Sequence, residues 1–229
     1  MSASVSIARR RLAGAPDSRF IPTLAWAIAG ALVLGAALIM ADTLRWVYRA
    51  YSPLPWWDQW ETISGYMRIR AGGSWWHELV RPHNEHRLVV PRLFFLADLA
   101  LLGGQNRLLL PMCAGIQLYH AGLLVWLGHR SSSGHSQWTN PVFIASSALA
   151  IALLFSFAQM ENLFWAFQIA FLGVFAAATT SFLLLTRAVL RQQAGRGWQL
   201  SLFAGLALIP IASFTMANGV LAGPIAILL

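Results

Sequence analysis

Residues 21–41 read IPTLAWAIAGALVLGAALIMA and decide the fold, because none of these 21 side chains is charged. A helix of this length extends about 30 Å at about 1.5 Å per residue, which matches the hydrocarbon core of a membrane. Hydrophobic residues make up 58 % of the 229-residue chain and charged residues only 10 %, far from the composition of a soluble domain. The sequence therefore predicts an all-α, polytopic membrane protein whose first transmembrane helix is 21–41.

The charges that flank this run predict its orientation. Arg9, Arg10 and Arg11 precede it, and positively charged flanks favour the cytoplasmic side. Residues 1–20 are therefore predicted to be cytoplasmic, and residues 42–87 to form the first extracytoplasmic loop. A cleaved signal peptide is the alternative, but the apolar run is too long for one and no small-residue cleavage site clearly follows it.

Further apolar stretches predict a multi-span helical bundle over residues 88–229. They are Leu88–Leu102, Leu108–Leu127, Pro141–Ala158, Leu163–Thr186, Leu200–Ala212 and Val220–Leu229. Arginines without neighbouring acids favour a cytoplasmic position for residues 187–196. The chain must then cross the membrane an even number of times between any two segments that are predicted to lie outside. Leu88–Leu102 is short and contains Arg92 and Asp98, so we expect it not to cross fully. The sequence ends within its last apolar stretch, which favours a truncated member of a class of longer proteins.

The predicted outside loop is rich in acids and aromatic rings. Residues 43–92 hold four of the chain's eight acidic residues and six of its eleven tryptophans. Proline and serine signals predict two short juxtamembrane helices here. The first is expected to start at Ser52-Pro53 and run to about Arg70, where Gly72-Gly73 breaks it. The second is expected to be capped by Ser74 and ended by Pro82.

Asp58 is the first candidate for a catalytic base, because it follows a Pro-Trp-Trp run at the predicted membrane surface. Glu61 lies three residues on and is predicted to share its helical face. The alternatives for both acids are a solvated helix face and a helix N-terminal pair favoured by the macrodipole. Trp57 and Trp60 lie beside these acids. Their flat, partly polar rings suit a sugar or an isoprenoid chain, while an aromatic belt at the lipid boundary is the alternative.

Residues 83–87 read His-Asn-Glu-His-Arg and form a second candidate site just before the chain re-enters lipid. Such a cluster can coordinate a divalent ion, balance a phosphate or move a proton, although it lacks the spacing of zinc motifs. His83, His86 and Arg87, with Arg92, are the candidates for contact with a phosphorylated lipid. A hydrogen-bonded membrane anchor is the alternative.

A third group of polar residues interrupts the later apolar stretches. Glu161 and Asn162 lie at the mouth of a pair of predicted spans, and Gln168 falls on the same helical face as Glu161. An acid at this depth indicates a functional site, with an interhelical hydrogen bond as the alternative. We expect Glu161 to share an outside cavity with Asp58.

This order of segments, with the Trp56–Glu61 and His83–Arg87 runs, resembles the GT-C superfamily of membrane glycosyltransferases, such as protein mannosyltransferases and the aminoarabinose transferases of lipid A. The resemblance implies a sugar donor on a polyprenyl phosphate. It also implies Asp58 and Glu85 as catalytic acids and Glu161 as a further acid. Arg87 and Arg92 would meet the donor phosphate.

The expected function is transfer of a hexose or pentose to an extracytoplasmic glycan, lipid or protein, at the bacterial inner membrane. A divalent metal, if one is used, would be held by Asp58, His83 and Glu85. The alternatives are a non-catalytic protein that binds or translocates lipid-linked glycans, and an inactive, truncated relative. Nucleic acid is not an expected partner, because the arginines form no basic stripe.

Overall fold

The computed structural model describes residues 20–131 and 137–228, and this part of the chain is built from helices. The helices are α1 (Phe20–Arg49), α2 (Gln59–Arg70), α3 (Trp75–Val80), α4 (Val89–Leu102), α5 (Leu109–Ser131), α6 (Pro141–Leu154), α7 (Met160–Phe164), α8 (Ile169–Gln193), α9 (Gln199–Ser213) and α10 (Ala222–Ile227). Within the described ranges there is no β-strand, only an isolated bridge between His83 and His86. The all-α prediction is confirmed, while the predicted segment 1–20 lies outside the described residues except for Phe20.

Three helical segments are long and apolar enough to cross a membrane: Pro22–Arg49, Leu109–Arg130 and Ala166–Gln193. Pro141–Leu154 and Phe157–Phe164, which meet at a bend of 43°, would be a fourth if together they form one span. Only 11 % of the most apolar window of the first segment is buried inside the protein. Because water does not tolerate so long an exposed apolar surface, these helices indicate an integral membrane protein.

Helix α1 is longer than the predicted span 21–41, since it continues to Arg49. The extra turns pack against the rest of the bundle, and both Thr43 and Val47 are buried. The end of the apolar run therefore did not mark the end of the helix. Apolarity reports which residues favour lipid, whereas helix length also depends on packing.

Helices α5 and α8 run side by side in the same direction: Cys113, early in α5, lies 4.0 Å from the Ala166 carbonyl just before α8, and Arg130, late in α5, lines one groove with Arg187, late in α8. The Tyr119 and Thr180 hydroxyl oxygens are 2.7 Å apart, and His120 Nε2 is 3.2 Å from the Thr179 hydroxyl. We call the end of the bundle where α1 finishes and where α5 and α8 begin the site end. Tyr51 ties it together by donating to the Gln105 carbonyl at 2.6 Å. The opposite end, where α5 and α8 finish, is called the arginine end.

Helix α4 lies at the site end, against α2, α3 and the first turns of the bundle. It has only 14 residues, and its two charged side chains, Arg92 and Asp98, are buried and have polar partners. The Asp98 carboxylate accepts from the backbone amides of Asn106 at 3.0 Å and Leu108 at 3.1 Å, just before α5. These pairings fit the expectation that Leu88–Leu102 does not cross fully, which stays a prediction.

The predicted start of the first loop helix is wrong. Helix α2 begins at Gln59, and residues 51–58 are mostly irregular. Pro53 and Pro55 disfavour helical backbone in the residues that precede them, so the chain stays open until Asp58. Ser52 caps no helix, and its hydroxyl accepts from the Leu54 amide at 3.1 Å. Asp58 therefore stands at the N-terminus of α2 rather than on its face.

The other boundaries in this loop are confirmed. Helix α2 ends at Arg70, and Gly72 follows with a positive φ of 95°, a left-handed conformation that glycine adopts at low cost. The Ser74 hydroxyl accepts from the His77 amide at 3.3 Å and caps α3. Helix α3 ends at Val80, two residues before Pro82.

Candidate functional site

Two carboxylates flank the imidazole of His83 at the site end, and Arg92 contacts one of these carboxylates. The Nδ1 atom of His83 makes a hydrogen bond with Glu61 Oε2. On the other side of the ring, Nε2 lies 3.6 Å from Asp58 Oδ2. Arg92 Nη2 lies 3.5 Å from the second oxygen of Glu61. We call Asp58, Glu61, His83 and Arg92 the His83 cluster.

Three separate elements position the His83 cluster. Asp58 and Glu61 come from the start of α2, and Arg92 from the first turn of α4. His83 lies in a tight turn, in which His83 and His86 exchange two backbone hydrogen bonds of 2.9 Å. Asn84 occupies this turn with φ of 50°, and asparagine is among the residues that adopt this left-handed region most readily.

The side chains of the His83 cluster differ in exposure. His83 is 8 % exposed and Asp58 is 46 % exposed. Arg92 is 7 % exposed, whereas Glu61 is 33 % exposed. The buried members therefore form the support, and the Asp58 carboxylate is the member that a bound molecule can reach.

Arg92 is committed to protein acceptors. Its Nη1 atom donates to the carbonyl oxygen of Arg81 and, at 3.4 Å, to that of Leu79. A donor phosphate would have to displace these partners and Glu61, so the placement of Arg92 does not favour the predicted phosphate contact. Arg87 is exposed and donates through Nη1 to the Val80 carbonyl at 2.8 Å. Arg87 is therefore the more available of the two predicted phosphate ligands.

A second ion pair, which sequence reasoning missed as a unit, joins α2 to α3. Arg68 donates to both carboxylate oxygens of Glu78, each at 2.7 Å, and Arg81 lies 3.7 Å from the same carboxylate. The hydrogen bonds from Arg68 lower the pKa of Glu78, although burial opposes this shift, and they raise the pKa of Arg68. The pair stabilises the loop that carries His83. Arg68 and Glu78 are ten residues apart and separated by a glycine turn, and this spacing does not predict an ion pair.

An aromatic cleft of about 220 Å³ lies beside the His83 cluster, and its lining residues are Trp56, Trp57, Glu161, Phe164 and Trp165. The Trp57 and Trp165 rings meet edge to face at 5.5 Å, and Trp165 stacks on Phe167 at 5.2 Å. Phe167 in turn lies 5.4 Å from the His83 ring. The structure thus brings Glu161 into one cleft with Trp57, the neighbour of Asp58.

Glu85 is not part of the His83 cluster. Its side chain is 77 % exposed and lies 3.6 Å from His86 Nε2. Across residues 20–131 and 137–228, no three His, Cys, Asp or Glu side chains form a group that could hold a metal ion. The hypothesised set of Asp58, His83 and Glu85 is therefore not assembled, because Glu85 points to His86 instead.

The remaining predicted residues have mixed positions. Trp60 is exposed on α2. Asn162 donates to the Gln159 side chain at 2.7 Å, which is a local contact. Gln168 is buried behind the aromatic cleft, and its Oε1 atom has no hydrogen-bond partner in the described part of the chain. Of the three, only Gln168 has an unsatisfied polar atom near the cleft.

The fold and this site together define a helical membrane protein with a buried histidine between two carboxylates at one end of its bundle. Comparison with protein-family models, with curated proteins and with solved structures found no match. What the site can do therefore follows from its own residues and their geometry.

Proposed function

We propose that this chain is a polytopic membrane glycosyltransferase of the GT-C kind, which transfers a sugar from a polyprenyl-phosphate donor to an extracytoplasmic acceptor. One observation carries the proposal: a half-exposed carboxylate, Asp58, faces a buried imidazole that Glu61 holds in place, and Glu61 is itself in contact with Arg92. In this proposal the site end lies at the extracytoplasmic face of a bacterial inner membrane. Helices α2 and α3 then rest at the membrane surface.

Asp58 is the catalytic base in this scheme. It accepts the proton of an acceptor hydroxyl, whose oxygen attacks the anomeric carbon of the donor sugar. The bond between that carbon and the phosphate oxygen breaks, the configuration inverts, and polyprenyl phosphate leaves with the bonding electrons. His83 faces Asp58 through Nε2 while Glu61 binds Nδ1, an arrangement in which a carboxylate fixes the orientation of an imidazole.

The surroundings of Asp58 supply the binding groups that this chemistry needs. The aromatic cleft offers the rings of Trp56 and Trp57 to a sugar or to an isoprenoid chain. Glu161, at the same cleft, can accept hydrogen bonds from sugar hydroxyls. The exposed guanidinium of Arg87 suits the leaving phosphate, because its planar fork can bind two oxygens at once.

The central test is Asp58→Asn in the purified full chain, reconstituted in nanodiscs. The substrates are polyprenyl-phosphate mannose, glucose and arabinose, with a membrane extract as acceptor, and the readout is release of polyprenyl phosphate. We expect turnover to fall about 100-fold or more with donor binding nearly unchanged, because the base acts only in the transition state.

Asp42→Asn is the matched control, since Asp42 is an exposed acid of α1 outside the His83 cluster. It should leave turnover unchanged. An Asp58→Asn protein that releases polyprenyl phosphate at the wild-type rate would refute the assignment of the base.

Non-catalytic binding or translocation of lipid-linked glycans is the second candidate. It is favoured by the 3.6 Å separation of Asp58 and His83, which is longer than a hydrogen bond. A binding protein would release no polyprenyl phosphate from any of the three donors. It would still lose donor affinity in Trp57→Ala and keep it in Asp58→Asn.

The proposed orientation has its own test. Cysteines placed singly at Ser64 and Ala194, both exposed and near opposite ends of the bundle, are compared in a Cys113→Ala background. The Ser64→Cys protein should react with an impermeant maleimide in intact cells, and the Ala194→Cys protein only after permeabilisation. The reverse pattern would place the site end in the cytoplasm and exclude a donor on the outer leaflet.

A further inference from the structure

The arginine end contains a groove of about 770 Å³ between the last turns of α5 and α8. Its charged wall consists of Arg130, Arg187, Arg191 and Arg196. Its apolar wall includes Trp126, Leu183 and Leu190. The groove therefore combines concentrated positive charge with a surface that suits hydrocarbon.

No acid balances these arginines in the part of the chain that the structure describes. None of the four forms an ion pair with a carboxylate among residues 20–131 and 137–228. The connections 131–140 and 187–199 contain no Asp or Glu in the sequence. Four like charges at one site repel one another, and an anion from outside the chain would relieve this repulsion.

Two of the arginines have contacts that explain their positions, and two do not. Arg191 donates to the Gly197 carbonyl at 3.2 Å, and Arg130 lies 5.6 Å from the centre of the Trp126 ring. Arg187 and Arg196 are exposed, and their guanidinium groups have no hydrogen bond or ion pair within the described ranges. Their donors are therefore available to a ligand.

We propose that this groove binds an anionic phospholipid, with its phosphate on Arg187 and Arg196 and an acyl chain along Leu183 and Leu190. Basic pockets between membrane helices bind lipid head groups of this charge. Guanidinium groups bind phosphate oxygens two at a time, which an ammonium group cannot do. The apolar wall distinguishes a lipid from free phosphate, which gains nothing from leucine side chains. This site is separate from the His83 cluster and does not depend on the proposed glycosyl transfer.

The test measures binding of dioleoyl phosphatidylglycerol to the full chain in a zwitterionic detergent by native mass spectrometry. The double variant Arg187→Gln, Arg196→Gln should bind this lipid about tenfold more weakly, because it loses charge-assisted hydrogen bonds to the phosphate. Dioleoyl phosphatidylcholine should bind weakly to both proteins. Millimolar inorganic phosphate should not displace the phosphatidylglycerol.

The matched control is Arg70→Gln, Arg107→Gln, which removes the same charge from exposed arginines outside the groove. It should keep wild-type affinity. An equal loss in both double variants, equal binding of the two lipids, or full displacement by inorganic phosphate would each overturn the proposal. If the thermal midpoint of the Arg187→Gln, Arg196→Gln protein without lipid falls, the Arg187→Lys, Arg196→Lys protein is measured in its place. Unchanged affinity of the lysine protein for phosphatidylglycerol would also overturn the proposal.

Discussion

The two ends of this bundle both carry arginines, but among the described residues only arginines of the site end have carboxylate partners. Arg68 and Arg81 contact Glu78, and Arg92 contacts Glu61 at 3.5 Å. At the arginine end, the four arginines of the groove have no carboxylate partner among the described residues. The same residue type therefore contributes to the folded structure at one end and remains available to a ligand at the other.

This difference separates charges that stabilise the fold from charges that are available for binding. Removing one member of a buried, paired set leaves its partner without compensation, which costs stability. Removing an exposed, unpaired arginine costs almost none. Substitutions at the two ends should therefore differ in their effects on unfolding, and this can be measured without knowing any substrate.

The largest expected effect on stability comes from Asp98→Ala at the site end. Asp98 is 1 % exposed and accepts two backbone hydrogen bonds, so the variant leaves one buried and one partly buried amide unpaired. The free energy of unfolding should fall by about 3 kcal/mol. SDS titration of the chain in mixed micelles measures it. Asp42→Ala serves as control, and equal effects of the two changes would contradict the role given to Asp98.

Arg92→Leu should be the next most damaging change, with a loss of about 2 kcal/mol in the free energy of unfolding. It removes the guanidinium beside Glu61, which keeps His83 and some contact with solvent, and it leaves two backbone carbonyls without their donor. Arg87→Leu, five residues earlier, removes one exposed contact and should cost well under half as much. Similar losses in the two variants would show that burial of Arg92 does not matter, which is opposite to the expectation.

A smaller effect, on the order of 1 kcal/mol, is expected from Glu78→Gln, because its partner Arg68 is partly solvated. The pKa of Glu78 is lowered in the folded protein, mainly by hydrogen bonds from Arg68. This stabilisation is therefore present above the unfolded pKa and is lost as the pH falls through the folded pKa. The thermal midpoint of the wild type should drop more steeply below about pH 4.5 than that of Glu78→Gln. Parallel curves for the two proteins would exclude this contribution.

The smallest effect is expected at the arginine end, where Arg187→Gln should change the free energy of unfolding by less than about 0.5 kcal/mol. Arg187 is exposed and has no ion pair among the described residues. Measurement in detergent without added phospholipid avoids stabilisation by a bound ligand. A loss as large as that of Arg92→Leu would remove the contrast between the two ends.

Much of the fold could be predicted from local sequence. The first span, the break at Gly72, the cap at Ser74 and the end of α3 before Pro82 all follow from signals within a few residues. The predicted start of α2 at Ser52-Pro53 is wrong, because Pro55 disfavours helical backbone at the residue before it. Helix α1 continues past the predicted span because its last turns pack against the bundle.

The candidate site was predicted only as separate residues. Asp58, Glu61 and His83 each stood out by their chemistry, but their convergence depends on the turn at Asn84 and on the docking of α4. The same docking turned Arg92 inward, away from its predicted role with a phosphate. The Arg68 and Glu78 pair was missed, since nothing in their spacing indicates that α2 and α3 pack together.

Local patterns in the sequence are enough to predict that this chain is helical and suited to a membrane. The preference of apolar residues for lipid and the signals that start or end a helix each depend on a few neighbouring residues. Both can therefore be recognised along the sequence without knowledge of the packing. Which charges are paired depends on how the helices pack in three dimensions. An ion pair or a hydrogen bond depends on distances of a few ångströms between elements far apart in sequence. That geometry placed His83 between Asp58 and Glu61, and left the arginines of the opposite end without carboxylate partners among the described residues.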